Sequence, residues 1–165
     1  VSKRVLVGYA TRTGSTTGVA EKIGEVLGER GYSVDVKPLR QTPSVAGYDA
    51  VVCGSAVNGG QWLPEAVSWV AGNQKPLAAV PVALFCVHSM NGGTDDKQTG
   101  KRLAYLDALR AMVKPRAEGF FLGKGPSAKD TSLIARWAFK RFGGTAEGDA
   151  RDWDAIATWA EQIEI

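Results

Sequence analysis

Three segments carry the residues best suited to chemistry. The first is Thr11-Arg12-Thr13-Gly14-Ser15-Thr16, which holds four hydroxyls, one glycine and one cation. Hydroxyls beside the unpaired N–H groups of a helix N-terminus make a seat for a phosphate. Two nucleotide motifs are excluded. The dinucleotide fingerprint G-x-G-x-x-G is absent here. A Walker A loop needs a lysine where Ser15 stands, and the gap from Gly8 to Gly14 is one residue too long for it. A triphosphate also brings more charge than this loop meets, so a phosphate monoester is the expected ligand. The competing reading is a helix cap made by Thr13 or Ser15, but one cap does not need four hydroxyl residues. The second segment is the Gly-rich stretch Ala56 to Trp62. The third is His88-Ser89-Met90-Asn91-Gly92-Gly93-Thr94-Asp95-Asp96.

The elements that must position these segments are legible in the apolar pattern. Lys3 to Ala10 is a short apolar run with polar flanks, which predicts a buried strand. Val19, Ala20, Ile23, Val26 and Leu27 recur at helical spacing over Thr16 to Arg30, and Gly31 ends that helix. Ser33 to Lys37 alternates as a second strand, and Pro43 to Tyr48 connects it to a third over Ala50 to Ser55. Pro64 opens a helix running to about Ala71. Val80 to Val87 is a fourth strand, and the long loop from His88 to Gln98 follows it. Lys101 to Val113 predicts one helix with Leu103, Leu106, Leu109 and Val113 on a single side. Glu118 to Leu122 is a fifth strand. Ser127 to Phe142 reads as helical, and Asp152 caps a last helix carrying Trp153, Ile156, Ala157, Ala160 and Ile163.

Strands alternate with helices throughout, and the strands are apolar on both faces. That pattern predicts an α/β fold, a doubly wound five-stranded parallel sheet with helices on both faces. In such sheets ligands bind outside the carboxyl ends of the strands, where the three segments lie. The length of 165 residues predicts a single domain over 1–165.

Composition narrows the function classes. Apolar residues make up 44% and charged residues 22%, so a disordered chain is excluded. The apolar stretch Leu77 to Val87 is too short to span a bilayer, and the first residues show no secretory pattern. Cys53 and Cys86 sit inside apolar runs and read as buried small hydrophobes of a reducing compartment, so a cytoplasmic location is expected. With one histidine, His88, a metal centre is not expected. Charge is uneven. Residues 97–151 hold 12 basic and 5 acidic groups, whereas residues 152–165 hold 4 acidic groups and no basic ones. A basic stretch attracts anionic partners. Within it, Lys129, Arg136, Lys140 and Arg141 accompany Trp137, Phe139 and Phe142. Two readings stand: a crossover helix packed on the sheet, or peripheral contact with an anionic membrane at its inner face or with an acidic partner. No nucleic-acid recognition motif is present.

Thr11 to Thr16 resembles the [ST]-x-T-G-x-T phosphate loop of the flavodoxins, and Tyr48 to Ser55 resembles that family's third-strand segment. The similarity extends over nearly the whole chain. It is greatest toward the flavodoxin-like, quinone-dependent protoporphyrinogen dehydrogenases, through Ser55 to Gly60, the loop after the fourth strand, and Phe142-Gly143-Gly144-Thr145 ahead of Asp152-Trp153. The resemblance implies a flavodoxin-like sheet of order 2-1-3-4-5 and non-covalently bound FMN. It implies that Thr11, Arg12, Thr13, Gly14, Ser15 and Thr16 hold the 5′-phosphate, with Arg12 either pairing with it or facing solvent. Ser55, Ala56, Val57, Asn58, Gly59 and Gly60 would follow the isoalloxazine ring, small enough for backbone groups to approach its edge. Trp62 is the nearest aromatic and the candidate to stack on the ring; the alternative is packing against the following helix. Asn58 stands where many flavodoxins have a stacking tyrosine. Ser89, Met90, Asn91, Gly92 and Gly93 would support the pyrimidine edge through backbone amides. His88 would lie near the flavin as a proton donor, or serve structure alone. Asp95 and Asp96 read as solvated loop charges.

The implied function is electron transfer through FMN to a redox partner protein or a quinone. The alternatives are an FMN-dependent protoporphyrinogen dehydrogenase and a flavin-less module binding a phosphorylated ligand.

Overall fold

The computed structural model describes residues 2–124, 133, 137 and 148–165. Its elements run β1 (Arg4–Ala10), α1 (Ser15–Glu29), β2 (Ser33–Pro38), β3 (Ala50–Asn58), β4 (Gln61–Trp62), α2 (Pro64–Gly72), α3 (Gln74–Leu77), β5 (Val82–His88), α4 (Asp96–Leu103), α5 (Asp107–Arg110), β6 (Ala117–Leu122) and α6 (Trp153–Gln162). Five strands pair in parallel in the order β2-β1-β3-β5-β6, and the two-residue β4 pairs antiparallel with β3. This is the expected doubly wound sheet with one short strand added off its path.

Alternation along the strands builds two cores, because successive side chains leave opposite faces. Leu6, Val51, Cys53, Leu84 and Cys86 point to one face, packed with Trp62, Ala66, Val70, Leu106 and Leu109. Val5, Val7, Val52, Ala83, Phe85 and Val87 point to the other, packed with Val19, Ile23, Leu27, Ile156 and Ala160. Helices α1 and α6 therefore cover one face, and α2 with the 104–113 segment covers the other. Phe85 fixes one backbone position by its bulk: a Cβ on Gly54 would fall 2.1 Å from its ring. Only glycine lets that ring lie across β3.

Two expected elements differ. The stretch Ala56 to Trp62 is not an open loop: β3 continues to Asn58 and β4 folds back on it. The single helix over Lys101 to Val113 is also broken. Asp95 caps α4 by accepting from the Gln98 N–H at 3.0 Å, so the helix starts earlier, at Asp96. It gives way to a 3₁₀ turn over Ala104–Leu106 and then to α5. Leu103, Leu106 and Leu109 recur every three residues, a spacing that drifts around an α-helix but fits a 3₁₀ turn. The turn buries Tyr105 and Leu106, while Leu103 stays 45% exposed. The expected helix over Ser127 to Phe142 and the Phe142-Gly143-Gly144-Thr145 segment lie outside the described residues, apart from Leu133 and Trp137, which are helical and exposed. No helix among the described residues is long and apolar enough to cross a membrane.

Candidate functional site

The ends of β1, β3 and β5 bring the three segments to one edge of the sheet. Gly14 precedes α1 in the left-handed region, at φ 90°, which aims the chain into the helix without a side-chain cap. Its N–H donates to Thr11 Oγ1 at 3.0 Å. The first turn of α1 has no acidic residue, so neither a cap nor a carboxylate satisfies its leading N–H groups. Thr16 is fully buried, and its Oγ1 has no hydrogen-bond partner among the described residues. A buried hydroxyl left unpaired is costly, and native interiors rarely leave one unpaired. An uncapped helix end with an orphaned hydroxyl beside it has the chemistry of an anion seat, and the phosphate of FMN fits it.

Arg12 is bound elsewhere. Its guanidinium bonds both carboxylate oxygens of Glu65 in the first turn of α2, the Nη2 to Oε2 distance being 3.1 Å. The pair is exposed, and Arg12 holds the Glu65 carboxyl below its ordinary range. The loop thus meets an anion with dipoles and hydroxyls more than with a free Arg12 charge.

In the second segment Gly59 and Gly60 both have positive φ, 62° and 78°, and Val57 pairs with Trp62 and Asn58 with Gln61. This is a tight hairpin whose two-residue turn favours glycine at both positions. Ser55 Oγ donates to Ala56 O at 2.8 Å and accepts from the Leu63 N–H at 3.1 Å, fixing the hairpin to the start of α2. Trp62 corrects an expectation. It is only 3% exposed, lies among the core side chains, and holds Nε1 3.2 Å from Cys86 Sγ. β-Alternation turns it inward, so it has no face left for a flavin ring. Burial pushes the Cys86 thiol up to about 12 and raises the Cys53 thiol as well, so both are inert packing groups.

The third segment is tied down from α4. Arg102 Nη1 donates to Asn91 O at 2.6 Å and to Gly93 O at 2.9 Å. Gln98 Oε1 accepts from the Gly93 N–H at 2.9 Å, so this amide already has a partner. Tyr105 OH donates to Met90 O at 3.0 Å and accepts from Asn91 Nδ2 at 2.8 Å. Asn91 adopts φ 61°, a left-handed conformation that asparagine tolerates. Asp95 is a helix cap rather than a free loop charge, and its Oδ2 also accepts from Gln98 Nε2 at 2.6 Å. Sequence reasoning missed Arg102, Gln98 and Tyr105, since nothing in a single helical stripe shows which polar residues turn back toward a loop.

His88 closes β5 and is 4% exposed. Its Nδ1 lies 2.7 Å from Met90 O, a pure acceptor, so Nδ1 carries the proton. Burial, assisted by the Arg102 charge, lowers its pKa below 6.5. A neutral ring with its proton bound to a carbonyl has nothing to donate from Nε2. The expected role as proton donor therefore does not fit, and Nε2 is a buried acceptor without a partner among the described residues.

The segments enclose two adjoining cavities. One, of about 280 Å³, is bordered by Thr13, Ser15, Ala56, Val57, Asn58 and His88, with Gly123 and Lys124 from beyond β6. The other, of about 470 Å³, lies between the hairpin turn at Gly59 and Gly60 and the loop residues Met90 and Asn91, with Lys101 and Tyr105. Val57, Asn58, His88 and Ser89 border both. Lys124 was also missed, although its place just past a strand end was the available signal.

The structure resembles solved flavodoxins. A short-chain flavodoxin associated with a non-canonical PDU bacterial microcompartment matches with a TM-score of 0.61 at 16% identity, covering 98% of this chain and 96% of that one. A Fusobacterium nucleatum flavodoxin variant bound to flavin mononucleotide matches with a TM-score of 0.58 at 13% identity, covering 96% and 93%. The rubredoxin:oxygen oxidoreductase of Desulfovibrio gigas matches with a TM-score of 0.57 at 15% identity; 97% of this chain is covered, and it spans 35% of that longer one. At these identities the likeness is one of fold. No curated protein sequence matches the chain. The family model for the flavodoxin domain matches residues 6–127, which contain all three segments. The chain belongs to the flavodoxin family.

Proposed function

We propose that the protein binds FMN non-covalently and passes electrons through it to a redox partner protein. The observation that carries the reading is Thr16 Oγ1, buried and unpartnered beside the uncapped N-terminus of α1. The 5′-phosphate would take that hydroxyl together with Thr11, Thr13, Ser15 and the leading N–H groups of the helix. The hairpin residues Ser55 to Gly60 and the loop residues Ser89 to Gly93 would border the ring from the two sides of the second cavity. When bound, FMN supplies one- and two-electron chemistry; the protein contributes placement, exclusion of water and the local charge. Here Glu65 neutralises Arg12, which leaves Lys124 as a cation bordering the seat.

The reading is tested by the visible spectrum of the protein as purified and by mass identification of what heating releases. Yellow absorbance with FMN released supports it. Colourless protein that leaves the fluorescence of added FMN unquenched favours a flavin-less phosphate-ligand module instead.

A second reading is oxidation of an organic substrate, such as a protoporphyrinogen, with a quinone as acceptor. Lys101 beside the larger cavity is the observation that favours it, since tetrapyrrole carboxylates suit a cationic rim. Turnover of protoporphyrinogen with menaquinone distinguishes an enzyme from a carrier. We place the protein in the cytoplasm; its contact with an anionic membrane surface, if made, is tested by vesicle flotation.

A further inference from the structure

We propose that His88 Nε2 is the hydrogen-bond acceptor for the ring N–H of the bound flavin, which makes His88 a ligand-binding residue rather than a proton donor. The inference rests on the FMN reading and goes beyond it, because it assigns one side chain to one atom class of the ligand.

His88 is 4% exposed, and the other ring nitrogen, Nδ1, is committed to Met90 O at 2.7 Å. The ring cannot turn to find a partner without losing that bond. Tyr105 also packs against it, with ring centroids 5.5 Å apart. Two neighbouring donors already have acceptors. Arg102 is bound to Asn91 O, Gly93 O and Thr99 Oγ1, and the Tyr105 hydroxyl donates to Met90 O. Nε2 has no hydrogen-bond partner among the described residues. His88 borders both cavities, together with Val57, Asn58 and Ser89, and also a third bordered by Arg102 and Phe121.

The chemistry of the ligand matches. The oxidised isoalloxazine ring carries a single ring N–H, at N3, and its other ring nitrogens are acceptors or fully substituted. A neutral imidazole with a lone pair at Nε2 complements N3–H and opposes an acceptor at the same place. Binding would remove the orphaned nitrogen that the ligand-free fold tolerates.

The test compares dissociation constants of FMN and N3-methyl-FMN by fluorescence quenching, for the wild-type chain, His88→Gln and His88→Leu. We expect the wild-type chain to prefer FMN by at least about 10-fold, combining the lost hydrogen bond with the added methyl. His88→Leu should reduce that preference to within about threefold, and His88→Gln, which keeps an acceptor, should fall between. Equal binding of the two flavins by the wild-type chain overturns the proposal, as does an undiminished preference in His88→Leu. If His88→Leu does not fold, the wild-type and His88→Gln arms decide it: a preference unchanged by glutamine overturns it, and a reduced one supports it. Failure of the wild-type chain to bind either flavin rejects the FMN reading itself, a result distinct from equal binding.

Discussion

Replacing Thr16 by valine should move stability and ligand affinity in opposite directions. The side chain is fully buried and its Oγ1 has no partner, so the ligand-free fold bears the desolvation of an unpaired hydroxyl. Valine has nearly the same shape and the same branching at Cβ, so neither packing nor helix propensity changes much. Removing the hydroxyl relieves about 1–3 kcal/mol. For a domain of this size that corresponds to a rise in melting temperature of roughly 2–10 °C in the ligand-free protein. With FMN the sign reverses. A hydrogen bond to a charged phosphate contributes about 1.5–3 kcal/mol, so the dissociation constant should rise roughly 10- to 150-fold. Thr16→Ser is the control: it keeps the hydroxyl and loses a methyl, so it should cost stability of about 1 kcal/mol and leave affinity nearly intact. The assays are thermal unfolding of the FMN-free protein and fluorescence titration with FMN. Valine that leaves affinity unchanged, or that lowers ligand-free stability, would refute the argument that this hydroxyl waits for a ligand.

The remaining predictions concern charge, protonation and packing. Glu65→Gln should release Arg12 toward the phosphate seat and tighten FMN binding by about 2–5-fold at low salt, less at high salt; a weaker complex would show that Glu65 holds the loop itself. His88 is neutral in the native state, with a pKa below the 6.5 of the unfolded chain. The unfolded chain therefore binds the extra proton first as pH falls. Stability should be full above pH 6.5 and decline below it, at no more than about 1.4 kcal/mol per pH unit, until the native ring protonates. Denaturant unfolding of the FMN-free protein from pH 7.5 to 5 checks this, and an unaltered decline in His88→Gln would assign it to other groups. Gly54→Ala should destabilise the fold by about 3 kcal/mol or more, since its Cβ would stand 2.1 Å from the Phe85 ring. Restoring stability with Phe85→Leu in the same chain would identify the clash as the cause.

The sequence and the structure agree where local chemistry dominates. Short apolar runs announce β1, β3 and β5, because that signal resides in adjacent residues. Agreement ends where a side chain's fate depends on distant partners. Trp62 looked like the aromatic nearest a ligand; β4 pairing turned it into the core against Cys86. Arg12 looked free to meet a phosphate; α2 supplied Glu65 from 53 positions away. Helix α4 was misplaced because Asp95, which reads as a loop charge, is its cap.

By itself the sequence determined the α/β order of elements, and it set the expectation of a phosphate monoester at the first loop. These follow from periodicity and from hydroxyl and glycine content, which act over a few residues. Only the tertiary structure decided which polar atoms remain unsatisfied once the chain has closed. Thr16 Oγ1 and His88 Nε2 are orphaned because burial removes water and no partner among the described residues replaces it. That condition is set by packing across β1, β5, α1 and α4, and no local stretch of residues contains it.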